Sequence, residues 1–355
     1  MEPHVREAAD DLSAALKPRA GNAERAFRIA LVVLPLGVLG NIAYTLLATD
    51  RALLASLDRL PRTYLLAALA LTLVPWITGT ARLLVWSRFL GHRIPLAQLL
   101  RMTLVVDLGS AVSPTAIGGE AFRWGMLVRY GVSPGTAATL ALMPKLEDAV
   151  FFAVALPIAV IWTSAWELPV VAASMRLLGD NLLTIAGIAS LIAASAWILS
   201  RGALRGHAGQ RVRGFALRTW GRARRRLRRA ADDARDAFAL IAAGGGTRFA
   251  LTLTFTAAHW AARYSVLSAL ALFLGVPFDP VLFWLLQWVV FTIMTFIPTP
   301  GATGGAEVAF TAVYATLLPA GVIGLATAAW RLFTFYAPVA LAALVFSLLG
   351  RHTRA

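Results

Sequence analysis

The 355-residue sequence contains no cysteine. That excludes disulfides and thiolate metal sites, and it leaves the redox compartment unread. Charge is scarce as well. Only 14% of residues are Asp, Glu, Lys or Arg, against about 25% in a soluble domain. Lysine is nearly missing: Lys17 and Lys145 stand alone among 33 basic residues. The five histidines (His4, His92, His207, His259, His352) lack metal-ligand spacing, so no cofactor or metal is called for. Apolar residues are abundant, at 59%, with a mean hydropathy of +0.71. The composition is that of an all-α polytopic membrane protein. The net charge of +15 comes from arginine, and with the high alanine content it reads as GC-rich coding rather than nucleic-acid binding.

A helix needs about 20 apolar residues to cross ~30 Å of hydrocarbon. Uninterrupted candidates are 29–48, 64–87, 137–162, 178–199, 249–274 and 321–349. Two further apolar regions are broken, 97–130 at "SPTAIGGE" and 281–318 at "PTPGATGGAE". The expectation is six spans plus two re-entrant or broken helical hairpins, eight or so helices in one transmembrane domain over 29–349. Residues 1–28 are polar and precede an apolar run without a clear cleavage site, so they read as a cytoplasmic tail. Eleven arginines and no acid lie between 201 and 229. By the bias of basic residues toward the cytoplasm, that loop belongs there, together with both termini, including 350–355. The 163–177 connection falls on the other side. Within 200–247, Trp220, Leu227, Ala231, Ala234, Phe238 and Ile241 recur at helical spacing, which predicts a basic amphipathic helix on anionic lipid.

The broken regions match each other. "RFLGHRIP" (88–95) and "LFLGVPFDP" (272–280) share Phe-Leu-Gly, and Trp76 and Trp260 share their offset of 184 (275 − 91). "PTAIGGE" then meets "PGATGGAE", and Lys145 meets Arg331, at an offset of 186 (331 − 145). Two copies, about 64–162 and 249–349, are therefore expected. By the charge-derived topology they are inverted, an arrangement that places a binding site where interrupted helices meet.

Local chemistry supports a site at the breaks. Pro114, Pro298 and Pro300 end helix arms because proline lacks the backbone donor. Gly118, Gly119, Gly301, Gly304 and Gly305 allow tight turns and close approach. The next arms begin near Glu120 and Glu307, where unpaired amides and a positive dipole end favour an acid. Either these glutamates cap helices, or they balance charge in a cavity, since intramembrane ionisable groups are functional candidates. Glu120 and Arg123 share a helix face, as do Lys145 and Asp148. Arg331 lies deep in the last span and needs a carboxylate or an anionic ligand. Two readings stand side by side. In one, Arg123, Lys145 and Arg331 receive a phosphate headgroup. In the other, they pair internally with Glu120, Asp148 and Glu307. His259 and Arg263 share a face and either line the cavity or form a core pair. Arg82, Arg88 and Arg93 lie near a span end and are expected to snorkel. The partner of Asp107 is not readable.

"PTAIGGEAFRWGMLVRYGVSPGTAATLALMPKLED" and "IPTPGATGGAEVAFTAVYATLLPAGVIGLATAAWRLFTFYAP" resemble the two signature regions of the lysylphosphatidylglycerol synthase transmembrane, or flippase-like, family. The resemblance covers most of 64–349. Where the family commonly has an acid and then an arginine, this chain has Pro144 and Lys145, while Asp148 matches a later aspartate. Lysine lacks arginine's fork.

The resemblance implies movement of a lipid or lipid-linked molecule between the leaflets of the cell membrane. Candidates are aminoacylated phosphatidylglycerol, hopanoids, polyprenyl-phosphate carriers and glycolipids. The best-known members carry a soluble aminoacyl-transferase domain after the membrane domain. This chain ends at Ala355, so that activity is expected to be absent. Arg331 and Lys145 would hold an anionic headgroup, with Glu120 and Glu307 shaping the site. A lipid-modifying membrane enzyme, or a scaffold that recruits a glycosyltransferase or lipid-modifying enzyme, is the alternative. Assembly with a second copy is compatible with either.

Overall fold

The computed structural model describes residues 60–112, 118–167, 241–297 and 299–351, with scattered residues of 37–51 and 232–239. The expected spans 29–48 (those scattered residues apart) and 178–199, the basic loop up to residue 231, and Pro114 and Pro298 lie outside the described residues. The described residues form helices and no strand. In chain order these are α1 (Thr63–Phe89), α2 (Leu96–Val112), α3 (Gly118–Arg129), α4 (Pro134–Thr163), α5 (Gly246–Leu274), α6 (Pro280–Thr295), α7 (Gly305–Tyr314), α8 (Ala320–Arg331) and α9 (Ala337–Arg351).

Three stretches are long and apolar enough to cross a membrane by length and composition: α1, α4 and the run Ala320–Leu349 through α8 and α9. At 29 residues α5 is as long but less apolar, because one side carries Thr252, Thr256, His259 and Arg263. Helix starts follow from local chemistry. Ser133 accepts from Thr136 N at 3.3 Å ahead of Pro134. Asp279 accepts from Val281 N at 2.8 Å and Leu282 N at 3.1 Å ahead of Pro280. Both pair a capping side chain with a proline whose missing N–H costs the helix nothing.

The two broken regions fold as helical hairpins. Gly109 of α2 faces Gly119 and Phe122 of α3, Gly119 abuts the carbonyl of Val106, and Arg123 Nε reaches Met102 O at 3.5 Å. These contacts set α3 antiparallel to α2. The approach at Gly119 is so close that any Cβ there would meet that carbonyl. At ~1.5 Å per residue, the 17 residues of α2 and 12 of α3 rise about 25 and 18 Å, short of the ~30 Å of a hydrocarbon core. In the second hairpin Tyr314 of α7 donates to Phe283 O at 2.9 Å, and Gln287 Nε2 donates to Tyr314 at 3.0 Å. Ile297 packs at Gly305, so α7 returns along α6. Trp330 Nε1 donates to Gln287 Oε1 at 2.7 Å, which ties α8 to the hairpin through a closed, buried network.

Helix α1 packs along α5. Phe89, the last residue of α1, lies under the guanidinium of Arg248 near the start of α5. Thr78 meets His259 mid-helix at 3.3 Å, and Ala68 shares a core cluster with Leu267 and Leu270. The two helices are thus antiparallel. Further out, α9 packs on α2 and α4 packs on α6. One end of the molecule gathers the end of α1, the start of α2, the end of α3 and the start of α5, with Arg88, Arg93, Arg129 and Arg248.

Between α8 and α9 the chain makes a π turn over Leu332–Tyr336. Ala337 N bonds five residues back to Leu332 O, which frees the carbonyl of Phe333. A buried free carbonyl is costly, and Thr72 of α1 supplies the hydroxyl at 2.9 Å. Such wide turns are rare and concentrate at functional sites.

Candidate functional site

The predicted site residues fall into two charge centres. In the first, ion pairs run through three helices. Arg123 pairs with Glu120 at 3.1 Å, and Glu120 with Lys145 at 3.2 Å. Lys145 lies 4.0 Å from Asp148, and Asp148 pairs with Arg82 at 3.1 Å. Arg82 then pairs with Glu147 at 2.6 Å. Three cations face three anions. The buried end is closely satisfied: Arg82 also donates to Pro144 O at 2.6 Å, and Trp86 Nε1 donates to Glu147 Oε1 at 2.5 Å. Thr256 adds a hydroxyl to Glu147 from α5 at 3.4 Å, and Trp260 donates to Asp148 at 2.9 Å. The other end is open, with the Lys145 side chain 58% exposed.

Arg82 does not snorkel. It is 3% exposed, and Glu147 is fully buried. A guanidinium paired at 2.6 Å with a buried carboxylate has no reason to reach for the surface, because separating them would strand a charge in the interior. Sequence reading missed Glu147 altogether. A signal for it exists: Arg82 and Trp86 are four residues apart on one face of α1, two donors that call for one shared acceptor.

The second centre is small. Arg331, 1% exposed, pairs with Glu307 at 2.9 Å and donates to Gly301 O at 3.0 Å. Glu307 also accepts from Gly304 N at 2.8 Å, so it caps α7 and balances Arg331 at once. Gly301 has φ 60°, and a side chain there would run into the ring of Phe335. That ring lies 4.4 Å from the Arg331 guanidinium, a stacked geometry lysine would fill poorly. Pro300 and Gly305 bracket this turn as expected.

Arg331 borders an open cleft of about 190 Å³. The cleft lies where the end of α2 (Ser110, Ala111), the second break (Thr299, Gly301, Ala302) and the π turn (Phe333, Thr334, Phe335) converge on the middles of α1 and α5. Its charged lining is Asp107, Arg263 and Arg331. Asp107 accepts from Trp76 Nε1 at 2.7 Å. Arg263 lies over Phe291, 5.2 Å from the ring centre, with no carboxylate in ion-pair distance among the described residues. His259 and Arg263 go separate ways, His259 to Thr78 and Arg263 into the cleft. The chemistry on offer is a mostly apolar cleft with a few fixed charges at mid-molecule. Among the described residues, no group of three or more His, Asp or Glu is placed to hold a metal.

The chain is 26% identical over 279 residues to a "UPF0104 membrane protein" of Archaeoglobus fulgidus, covering 77% of this chain and 82% of the relative. The family model described as "Lysylphosphatidylglycerol synthase TM region" matches residues 26–342. That match takes in both hairpins, both charge centres and every residue lining the cleft, and on it this chain belongs to the lysylphosphatidylglycerol synthase TM region family.

Proposed function

We propose that this protein is a lipid translocator, moving an anionic phospholipid or a polyprenyl-phosphate-type lipid between leaflets of the cell membrane. The observation that carries the reading is the cleft: an apolar-walled space at mid-molecule with Arg263 and Arg331 on its lining. A headgroup crossing hydrocarbon loses its hydration, and a charged group there is costly without a partner. Arg263, with no carboxylate of its own among the described residues, is the group best placed to meet a phosphate, and Arg331 joins it by turning from Glu307. Lys145 lies away from the cleft lining. Its network with Glu120, Arg123 and Asp148 forms the companion centre in the first half.

The helix succession supports two inverted repeats. A long helix, a hairpin and a second long helix occur twice, with Gly91 at φ 82° and Gly275 at φ 65° ending the first helix of each unit. The first helices, α1 and α5, pack antiparallel on each other, and the last helix of each unit packs on the hairpin of the other. That exchange is what a twofold axis perpendicular to α1 and α5 produces. If those helices cross the bilayer, the axis lies in its plane and the hairpins are re-entrant, with irregular backbone confined to a cavity. The arginine-rich end is then cytoplasmic.

The test is translocation in proteoliposomes, following leaflet accessibility of labelled phosphatidylglycerol and labelled polyprenyl phosphate. Wild type accelerates exchange of at least one. Glu307→Gln keeps the cap to Gly304 but removes the negative charge from Arg331, and it slows exchange roughly ten-fold, a ~1.4 kcal/mol effect. Well-folded protein that accelerates neither lipid would replace this reading with that of a scaffold or lipid-modifying enzyme.

A further inference from the structure

A second recess lies away from the cleft, at the arginine-rich end. It is formed by Arg101 of α2, Met126 and Arg129 of α3, Tyr130 just beyond α3, and Phe346 of α9, around an open space of about 330 Å³. Two arginines from two helices point at one concavity, and among the described residues no carboxylate is in ion-pair distance of either. Arg101 is half-satisfied. Its Nη1 donates to Gln98 Oε1 at 3.2 Å, and its guanidinium lies 4.7 Å from the centre of the Phe346 ring. Its Nε is buried with no hydrogen-bond partner among the described residues. Buried polar groups are almost always paired; the Nε is closed off, and the donors a ligand in the recess would meet are the remaining guanidinium N–H groups of Arg101 and Arg129.

The setting narrows what that ligand is. Arg101 is the sixth residue of α2 and Arg129 the last of α3, so both lie within about two turns of the hairpin's open end. At a membrane surface this is headgroup depth. Guanidinium forks match phosphate oxygens. The Tyr130 hydroxyl adds a donor, and Met126 and Phe346 give an apolar floor against which the first carbons of an acyl chain can lie.

We infer that this recess is a phosphate-binding site for a phosphate ester at the membrane surface, with Arg101 and Arg129 donating to its oxygens, and that it is separate from the central cleft. Basic pockets between membrane helices hold phospholipid headgroups in this way. The site does not depend on translocation.

The experiment is native mass spectrometry of the full purified chain titrated with phosphatidylglycerol and, separately, with phosphatidylcholine. It compares wild type with the double variant Arg101→Gln/Arg129→Gln and with Arg129→Gln alone. The double variant retains one phosphatidylglycerol fewer per chain, with affinity at that site about 30-fold lower, the effect of two arginines at the interface. Arg129 is exposed, so Arg129→Gln folds normally and gives about a five-fold loss, which keeps the test valid if the double variant folds poorly. A repeat with excess inorganic phosphate separates the sources. Undiminished lipid retention assigns the site to a lipid, while displacement by phosphate assigns the same residues to a soluble phosphate. Unchanged phosphatidylglycerol retention in both variants overturns the site.

Discussion

The two charge centres solve one problem in opposite ways. Around α1 and α4, six charged side chains form a chain of ion pairs, and its inner members, Arg82 and Glu147, are sealed by Trp86, Thr256 and the carbonyl of Pro144. Around α7 and α8 there is a single pair, Glu307 with Arg331, completed by one carbonyl and an aromatic ring and bordering an open cleft. Even the matched tryptophans share the imbalance. Trp76 and Trp260 each donate to an aspartate, but both acids, Asp107 and Asp148, come from the first half. The first centre ties three helices together through its charges, while the second leaves its arginine beside free space.

This contrast can be broken by mutation. The largest effect belongs to Arg82→Ala, which strands Glu147 at zero exposure. A loss of about 3–5 kcal/mol is expected, read as a lower unfolding temperature in detergent by size-exclusion recovery after heating. If Arg82→Ala were as stable as wild type, the first centre would not be a staple. Next comes Thr72→Val, which leaves the Phe333 carbonyl at the π turn without its hydroxyl. It costs about 1 kcal/mol by the same assay and also perturbs translocation, because the turn lines the cleft. The smallest effect is that of Lys145→Ala. Its side chain is mostly in the open, so its pairs with Glu120 and Asp148 contribute about 0–1 kcal/mol, and added salt erases the difference. A loss rivalling that of Arg82→Ala would mean that the open end of the network carries as much as the buried end.

The hairpins and the second centre were legible in the sequence because their signals are local. Pro300, Gly301, Gly304 and Gly305 mark a break wherever they occur together, and Glu307 follows at the position where a helix start wants an acid. Arg331 was legible because an arginine deep in an apolar run must have a partner. The buried end of the first centre was not. Arg82 lies seven residues from the end of α1, where an arginine has the choice of leaving the membrane or staying, and the sequence does not record that choice. It is decided by Glu147, 65 residues away, which stands beside Asp148 in a cluster that looks like one solvated turn. For His259 and Arg263 the sequence left two readings open, cavity lining or a core pair; His259 meets Thr78 and Arg263 lines the cleft, since four-residue spacing gives a shared face without giving a shared contact. The π turn carried no readable signal beyond Pro338.

The antiparallel seam of α1 and α5 has a consequence for how the chain is made. Phe89 and Gly246 are 157 residues apart (246 − 89), and at ~5–20 residues per second the ribosome needs roughly 10–30 s to close that gap. For that interval the first half sits in the membrane without the helix that later covers it. Arg82, Trp86, Glu147 and Asp148 all come from that half, so its buried ion pairs close once α4 follows α1, 65 residues on, without waiting for α5. What must wait for the second half is the neutral hydrogen-bonding partners: Thr256 for Glu147, Trp260 for Asp148, His259 for Thr78, and the carbonyl of Phe333 for Thr72. The order of synthesis and the placement of charge agree: the ion pairs of the first centre close within the first half, before its neutral partners arrive.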